Sequence, residues 1–211
     1  SETSEVARAY GIPAPPVILA ANPDEAVAEA EKLGFPVVLK VASPKILHKT
    51  DLGGVRMNLK TADEVRDAYI EIMDNVKHYL PQVIVYGVEV QGMMTKGTEL
   101  IVGMKRDINF GPLIGFGLGG IYVNLLQDVS FRLANGLADD EIASMLEDTK
   151  AYALLKGYRG SEPSDIEAVV DVIRKVARLC MDFPEIAELD INPLFTYSKG
   201  VSAVDIKITL S

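Results

Sequence analysis

Four groups of residues in this sequence have types and spacings that could do chemistry. The first is Lys40, a charged side chain inside the apolar run Val37-Val38-Leu39-Lys40-Val41. A lysine there either snorkels to a strand edge or points into a cleft to meet an anion. The second runs from Ser43 to Val55 and holds Lys45, His48, Lys49, Thr50 and the pair Gly53-Gly54 immediately before a strand. Glycines let backbone N–H groups approach phosphate oxygens, and Lys49 adds charge to that contact. The Gly-Lys-Ser/Thr of a P-loop opening a helix is missing. A simple tight turn is the other reading of Gly53-Gly54, and a structural imidazole the other reading of His48. The third group, Gly115 to Gly120, formally matches G-x-G-x-x-G. Strand-like Ile121-Tyr122-Val123-Asn124 follows it, where a dinucleotide site needs a helix N-terminus. A glycine loop facing a partner or phosphate is expected instead, with a plain loop as the alternative. The fourth is a C-terminal hairpin with Asp190-Ile191-Asn192-Pro193 on one strand and Asp205 on the other. A turn around Ser198 to Gly200 sets Asn192 opposite Asp205 to within one residue. Opposite residues of an antiparallel pair share a face, with Cα atoms about 4.5–5.5 Å apart. Two hard oxygen donors with Asp190 nearby suit Mg2+, which commonly takes one or two protein oxygens and draws the rest from water and phosphates. A solvated hairpin face is the alternative.

Further candidates are weaker. Glu89 and Glu99 bracket a presumed hinge and could receive ribose hydroxyls. Arg106 and Arg132 could meet phosphate, although no motif singles them out. Cys180, between Leu179 and Met181 in an amphipathic stretch, reads as core, and His78 as a helix-end residue.

The elements that must position these residues are regularly punctuated. A short helix over 4–10 stops at Gly11, and the proline-rich 12–16 must be extended. Asn22-Pro23-Asp24-Glu25 opens a helix that ends at Gly34, and Thr61 to Glu64 is a capping box for a helix reaching about Tyr79. Strands are expected over 35–42, 55–59 and 83–90. In the second half, short strands over 99–104, 113–116, 121–125 and 129–133 precede two helices over 139–155 and 165–182, the second capped by Ser164. The hairpin of 187–195 and 201–210 closes the chain. Helix and strand mix without a strict βαβ rhythm, so the expected class is α+β in two lobes, 12–88 and 89–211, with residues 1–11 as a packing helix.

The chain has 211 residues, with 21 basic against 30 acidic side chains and a net charge of −9. The excess of acid argues against nucleic acid or an anionic membrane surface as the main partner. The one cysteine excludes an intrachain disulfide and fits a reducing compartment. No apolar run is long enough to span a membrane. A cytoplasmic protein is the expectation.

With these segments taken in order, the chain resembles the ATP-grasp (beta) subunit of the ADP-forming acyl-CoA synthetases, relatives of succinyl-CoA synthetase. The resemblance is carried by Tyr10-Gly11-Ile12-Pro13, Pro36 to Lys40, Ser43-Pro44, Ile46 to Lys49, Gly53-Gly54-Val55, Glu89 to Met93, Glu99 to Gly103, Phe110-Gly111-Pro112, Phe116 to Val123, Ser130 to Leu133 and Asp190 to Leu194. It implies an ATP-grasp fold of two α+β lobes holding ATP or ADP. Lys40 would then meet the nucleotide, Glu89 and Glu99 would surround adenine and ribose, and Gly53-Gly54 would form the phosphate loop, to which Lys49 adds its charge by the reading given above. Asn192 and Asp205 would hold Mg2+, His48 would carry a phosphoryl group, and Asp190 would sit near it. The resemblance further implies a CoA-binding alpha subunit with the first phosphohistidine, in an α2β2 assembly, because no CoA-binding Rossmann unit is present in the 211 residues. One departure stands out: the usual Tyr-Val-Glu reads Tyr122-Val123-Asn124, and an asparagine cannot serve as a carboxylate base. Another ATP-grasp carboxylate ligase and a non-catalytic nucleotide-sensing module remain as alternatives; neither would need His48 to carry phosphate.

Overall fold

In the computed structural model residues 2–46, 49–120 and 128–211 are described. They form two units, Pro15–Met94 and a second made of Glu2–Ala14 with Thr95–Ser211.

The first unit follows its local signals closely. Strand β1 (Val17–Ala20) leads to helix α2 (Pro23–Leu33); helix α1 (Glu2–Ala9) belongs to the second unit. Helix α2 starts where the Glu25 N–H donates to Asn22 Oδ1 (2.9 Å) and the Glu25 carboxylate accepts from the Ala21 N–H (2.8 Å). Strands β2 (Val37–Ala42) and β3 (Val55–Leu59) precede helix α3 (Ala62–Tyr79). Its capping box closes with Glu64 N–H on Thr61 Oγ1 (3.2 Å) and Lys60 N–H on the Glu64 carboxylate (2.6 Å). Strand β4 (Gly87–Gly92) completes an antiparallel sheet of order β1-β4-β2-β3. Val37, Leu39, Val41, Val88 and Val90 pack against Ala26, Ala30, Val65, Ala68, Ile72 and Val76 of the two helices. Because side chains alternate across a strand, this burial turns Lys40 and Glu89 to the other face.

Two expectations are corrected in this unit. The strand expected over 83–90 begins only at Gly87, whose positive φ of 132° and contact with the Ala20 carbonyl leave no room for a Cβ. The unit also extends past residue 88 to Met94 and begins at Pro15, because β4 hydrogen-bonds between β1 and β2. Glu89 therefore lies in the middle of the first sheet and not at a boundary.

The second unit contains β5 (Thr98–Asp107), β6 (Gly111–Leu118), β7 (Val129–Leu133), α4 (Asp139–Glu147), α5 (Ala151–Leu155), α6 (Ile166–Asp182), β8 (Ile186–Thr196), β9 (Val201–Ala203) and β10 (Ile206–Leu210). Its sheet runs β10-β8-β5-β6-β7, with β9 also on β8. Leu100, Val102, Met104, Ile114, Phe116, Leu189 and Ile191 form one side of a core completed by Ile142, Leu146, Val169, Ile173, Val176 and Cys180. Ala7 and Ile12 join that core, and the Ala203 N–H donates to the Pro13 carbonyl (2.7 Å), which ties the N-terminal segment here.

The expected single helix over 139–155 is two, because the Asp128 carboxylate accepts the N–H groups of Lys150 (2.8 Å) and Ala151 (3.3 Å) and starts α5 afresh. The cap of α6 is Asp165 and not Ser164: Asp165 Oδ1 accepts from the Ala168 N–H (3.0 Å), while the Ser164 N–H is held by the Leu155 carbonyl. The glycine run is not a loop throughout, since Gly115 and Gly117 lie inside β6 opposite Gly103 and Ile101. The strand expected over 121–125 falls outside the described residues. No helix among those described is long and apolar enough to cross a membrane.

Candidate functional site

On the face of the first sheet turned away from its two helices, Lys40 stands opposite Glu89 in β4 and Val55 in β3. Lys40 is half-buried, and its flanking apolar neighbours fix which way it faces. Lys49 comes to the same place from the loop before β3, its Nζ 3.1 Å from Glu89 Oε2. Three of the residues singled out from the sequence are thus brought to one place, Lys49 by an ion pair with Glu89 and Lys40 by its register opposite Glu89. The loop itself is a closed turn. The Gly53 N–H donates to the Thr50 carbonyl (3.0 Å), the Gly54 N–H to the Lys49 carbonyl (2.8 Å), and the Val41 N–H to the Gly54 carbonyl (2.7 Å). Gly53 needs its positive φ of 64°, and Gly54 packs against Val41. The amides expected to cradle phosphate are therefore engaged within the turn. His48 lies outside the described residues.

The second unit gathers the oxygen donors. Strand β8 pairs Ile191 with Ile206 and Leu194 with Ala203, which places Asn192 opposite Asp205. The Asn192 N–H donates to the Asp205 carbonyl and the Val204 N–H to the Pro193 carbonyl, both at 3.1 Å, across the gap between β9 and β10. Asp190 lies two residues earlier on the same strand face, opposite Lys207 and Gly103. Burial pushes the Asp190 carboxyl above the usual range; Lys207 opposes this, while the charges of Asp205 and Glu188 add to it. Two carboxylates close enough to feel one another, beside a neutral oxygen donor, leave negative charge that a cation would offset.

Glu99 enters from β5, and the glycine run explains how. The Gly119 N–H donates to the Glu99 carbonyl (2.9 Å), and the Gly120 N–H to Asn192 Oδ1 (3.0 Å). A Cβ on Gly119 would meet the Leu100 backbone, and one on Gly120 the Glu99 carboxylate. Gly120 thus holds the Asn192 side chain, a role the sequence did not disclose because 72 residues separate the two. Asn124 lies outside the described residues.

The remaining candidates have structural work. Arg106 donates to the carbonyls of Cys180 (2.7 Å), Ile186 (2.9 Å) and Phe183 (3.3 Å), closing the end of α6. Arg132 pairs with Asp148 at 2.6 Å. Cys180 is buried, and burial pushes its thiol up to about 12. His78 packs edge-on against Tyr79. Among the described residues no three His, Cys, Asp or Glu side chains converge as a metal cage.

Residues 1–210 match an ATP-grasp domain family. The chain is 46% identical over 209 residues to the acetate–CoA ligase (ADP-forming) I subunit beta of Pyrococcus furiosus, covering 99% of this chain and 90% of that subunit. It is also 46% identical to the acetate–CoA ligase (ADP-forming) I of Archaeoglobus fulgidus, where it spans only 30% of the longer protein. Solved structures of the dinucleotide-forming acetyl-coenzyme A synthetase 1 of Ca. Korarchaeum cryptofilum superpose over all of this chain and 91% of theirs. One, with coenzyme A, Ca-AMPCP and HgCl+, has a TM-score of 0.96 at 46% identity. Another, with coenzyme A and Mg-AMPPCP, has its phosphohistidine segment pointing towards the nucleotide binding site, with a TM-score of 0.88 at 44% identity. A family match along almost the whole chain, joined to near-complete coverage of a subunit at this identity, shows that the chain is an ATP-grasp domain of the ADP-forming acyl-CoA synthetase family.

Proposed function

We propose that this chain performs the nucleotide half-reaction of an ADP-forming acyl-CoA synthetase. The overall reaction is acyl-CoA + ADP + phosphate ⇌ carboxylic acid + CoA + ATP, with phosphate passing through His48. The observation that carries this reading is the 46% identity along 99% of the chain to an ADP-forming ligase subunit. Phosphoryl transfer asks a protein mainly to position groups and offset charge. Lys40 and Lys49 supply cations for the nucleotide; the Lys49 ammonium is held by Glu89 before substrate arrives, and Lys40 stands opposite Glu89 in the sheet. Glu89 and Glu99 receive polar groups of adenosine. Since the Gly53 and Gly54 amides are engaged in their own turn, we assign the phosphate contact to the lysines and leave the glycines the turn.

Asn192 and Asp205 fit Mg2+. They offer hard oxygens opposite one another in the register of β8, with Asp190 two residues away on the same strand. When bound, the ion neutralises phosphate charge. A neutral ring nitrogen of His48 is the nucleophile that takes up the phosphoryl group near pH 7, and the phosphohistidine then passes it to an ADP oxygen as the P–N bond breaks; Asp190 is the carboxylate assigned beside that histidine. The acyl and CoA chemistry belongs to a CoA-binding alpha subunit bearing the first phosphohistidine, in an α2β2 assembly, or to another part of a longer chain. The single buried cysteine and the excess of acid support a cytoplasmic setting.

The test is to purify the chain with its CoA-binding partner and follow ATP formation from acyl-CoA, ADP and phosphate. The wild-type protein should form ATP and acquire acid-labile phosphate when given ATP. His48→Asn should keep Mg2+–ATP binding yet lose turnover by orders of magnitude and take up no phosphate. Near-normal turnover in the mutant would reject the carrier.

A further inference from the structure

We propose that Arg56 and Asn75 are positioning residues for the Lys49 loop; the inference rests on the reading just given and deepens it. The turn from Lys49 to Gly54 engages its N–H groups internally, but its Gly53 carbonyl faces outward to two side chains. Arg56 Nη1 lies 3.0 Å from the Gly53 oxygen and 3.1 Å from the Val55 oxygen, so one guanidinium nitrogen bridges the end of the turn and the start of β3. From α3, Asn75 Nδ2 reaches the same Gly53 oxygen at 3.4 Å. That nitrogen is also 2.7 Å from where a Cβ on Gly53 would stand, so the glycine and the asparagine fit one another.

A solvent-facing turn does not need such anchoring, because water satisfies its carbonyls. Here a helix and a strand each contribute a donor to one oxygen. The far end of the turn bears Lys49, paired with Glu89 beside Lys40. A planar guanidinium and a carboxamide are stiffer holders than a flexible ammonium would be. Holding Gly53 fixes the turn, the turn fixes the Lys49 main chain through the Gly54 N–H, and Lys49 then presents its ammonium from a set position. Glu71, whose carboxylate is 3.0 Å from Arg56 Nε, is largely exposed and stands outside this clamp.

The experiment uses the enzyme with its CoA-binding partner and three variants: Arg56→Ala, Asn75→Ala and Glu71→Gln. In the first two, amide hydrogen exchange over 49–54 should quicken by about tenfold, equivalent to about 1.4 kcal/mol, with the α3 amides unchanged. Their kcat should fall by a similar factor and Mg2+–ADP should bind more weakly, because the misplaced loop carries the Lys49 ammonium while Lys40 stays in the sheet. Glu71→Gln should match wild type in both measurements, since exposed ion pairs contribute little. Unchanged exchange in both alanine variants would overturn the clamp, as would faster exchange with unchanged kcat. An equal loss in Glu71→Gln would show that the ion pair matters and not the carbonyl contact. A wild-type enzyme that formed no ATP would reject the proposed reaction, and exchange at Gly53 and Gly54 would still decide whether the clamp exists.

Discussion

Asn192 and Asp205 face one another because two short ladders on β8, one to β9 and one to β10, share a single register on either side of the break between them. Each side chain is then constrained for its own reason. Asn192 Oδ1 accepts the Gly120 N–H, and in the proposed site it would offer its second lone pair to Mg2+ while Asp205 would offer a carboxylate. Removing the charge should therefore cost more than removing the neutral donor. Asp205→Ala is expected to weaken Mg2+-dependent nucleotide binding by about tenfold or more, with metal-free nucleotide binding changed far less. Calorimetry with and without Mg2+ checks this, and equal affinities for mutant and wild type in Mg2+ would remove Asp205 from the site. The facing of Asn192 and Asp205 was legible from the sequence, since hairpin arithmetic is a local signal, and Lys40 stood out as a charge inside an apolar strand. The Gly120 contact was not, because nothing near Gly120 in the chain points to Asn192.

At the scale of elements, Asp165 joins two pieces that the sequence presents separately. Its Oδ1 caps α6 through the Ala168 N–H, and its Oδ2 accepts the Gly200 N–H (2.8 Å) in the turn that leads from β8 into β9. Backbone donors from Gly200 and Ala168 hold the Asp165 carboxyl below the usual range, with Lys199 adding to the effect. A carboxylate with a depressed folded-state pKa contributes stability that is present above its unfolded value and is lost as pH falls through the folded value. Asp165→Ala should cost about 1–2 kcal/mol at neutral pH, the upper range for a helix cap. The difference between mutant and wild type should shrink as pH falls below the ordinary carboxylate range. Denaturant unfolding at pH 7 and at acid pH measures both, and a pH-independent difference would contradict the charge-based account. The sequence located the helix correctly but put its cap one residue early, at Ser164. Both residues are good caps, and which one serves depends on Leu155 holding the Ser164 N–H from a distant turn.

For the whole molecule, each unit has its own helix-backed core; Lys40, Lys49 and Glu89 belong to the first unit, and Asp190, Asn192 and Asp205 to the second. If the acyl and CoA steps belong elsewhere, these 211 residues alone should bind Mg2+–nucleotide yet form no ATP from acyl-CoA, and adding the CoA-binding polypeptide should restore turnover. ATP formation by the isolated chain would overturn that division of labour. What the sequence determined by itself was everything set by short-range periodicity and caps: two α+β lobes, most strand and helix positions, and the pairing of Asn192 with Asp205 to within one residue. Alternation and turn length are properties of a few neighbouring residues, so they survive any tertiary arrangement. The tertiary structure alone decided that β4 and Glu89 belong inside the first sheet, that the N-terminal helix joins the second unit, and that the Gly53 and Gly54 amides are engaged in their own turn. It also decided the pairing of Lys49 with Glu89. Those outcomes depend on which strand finds which neighbour and which donor reaches which carbonyl, contacts between residues far apart in the chain whose energies no local pattern records.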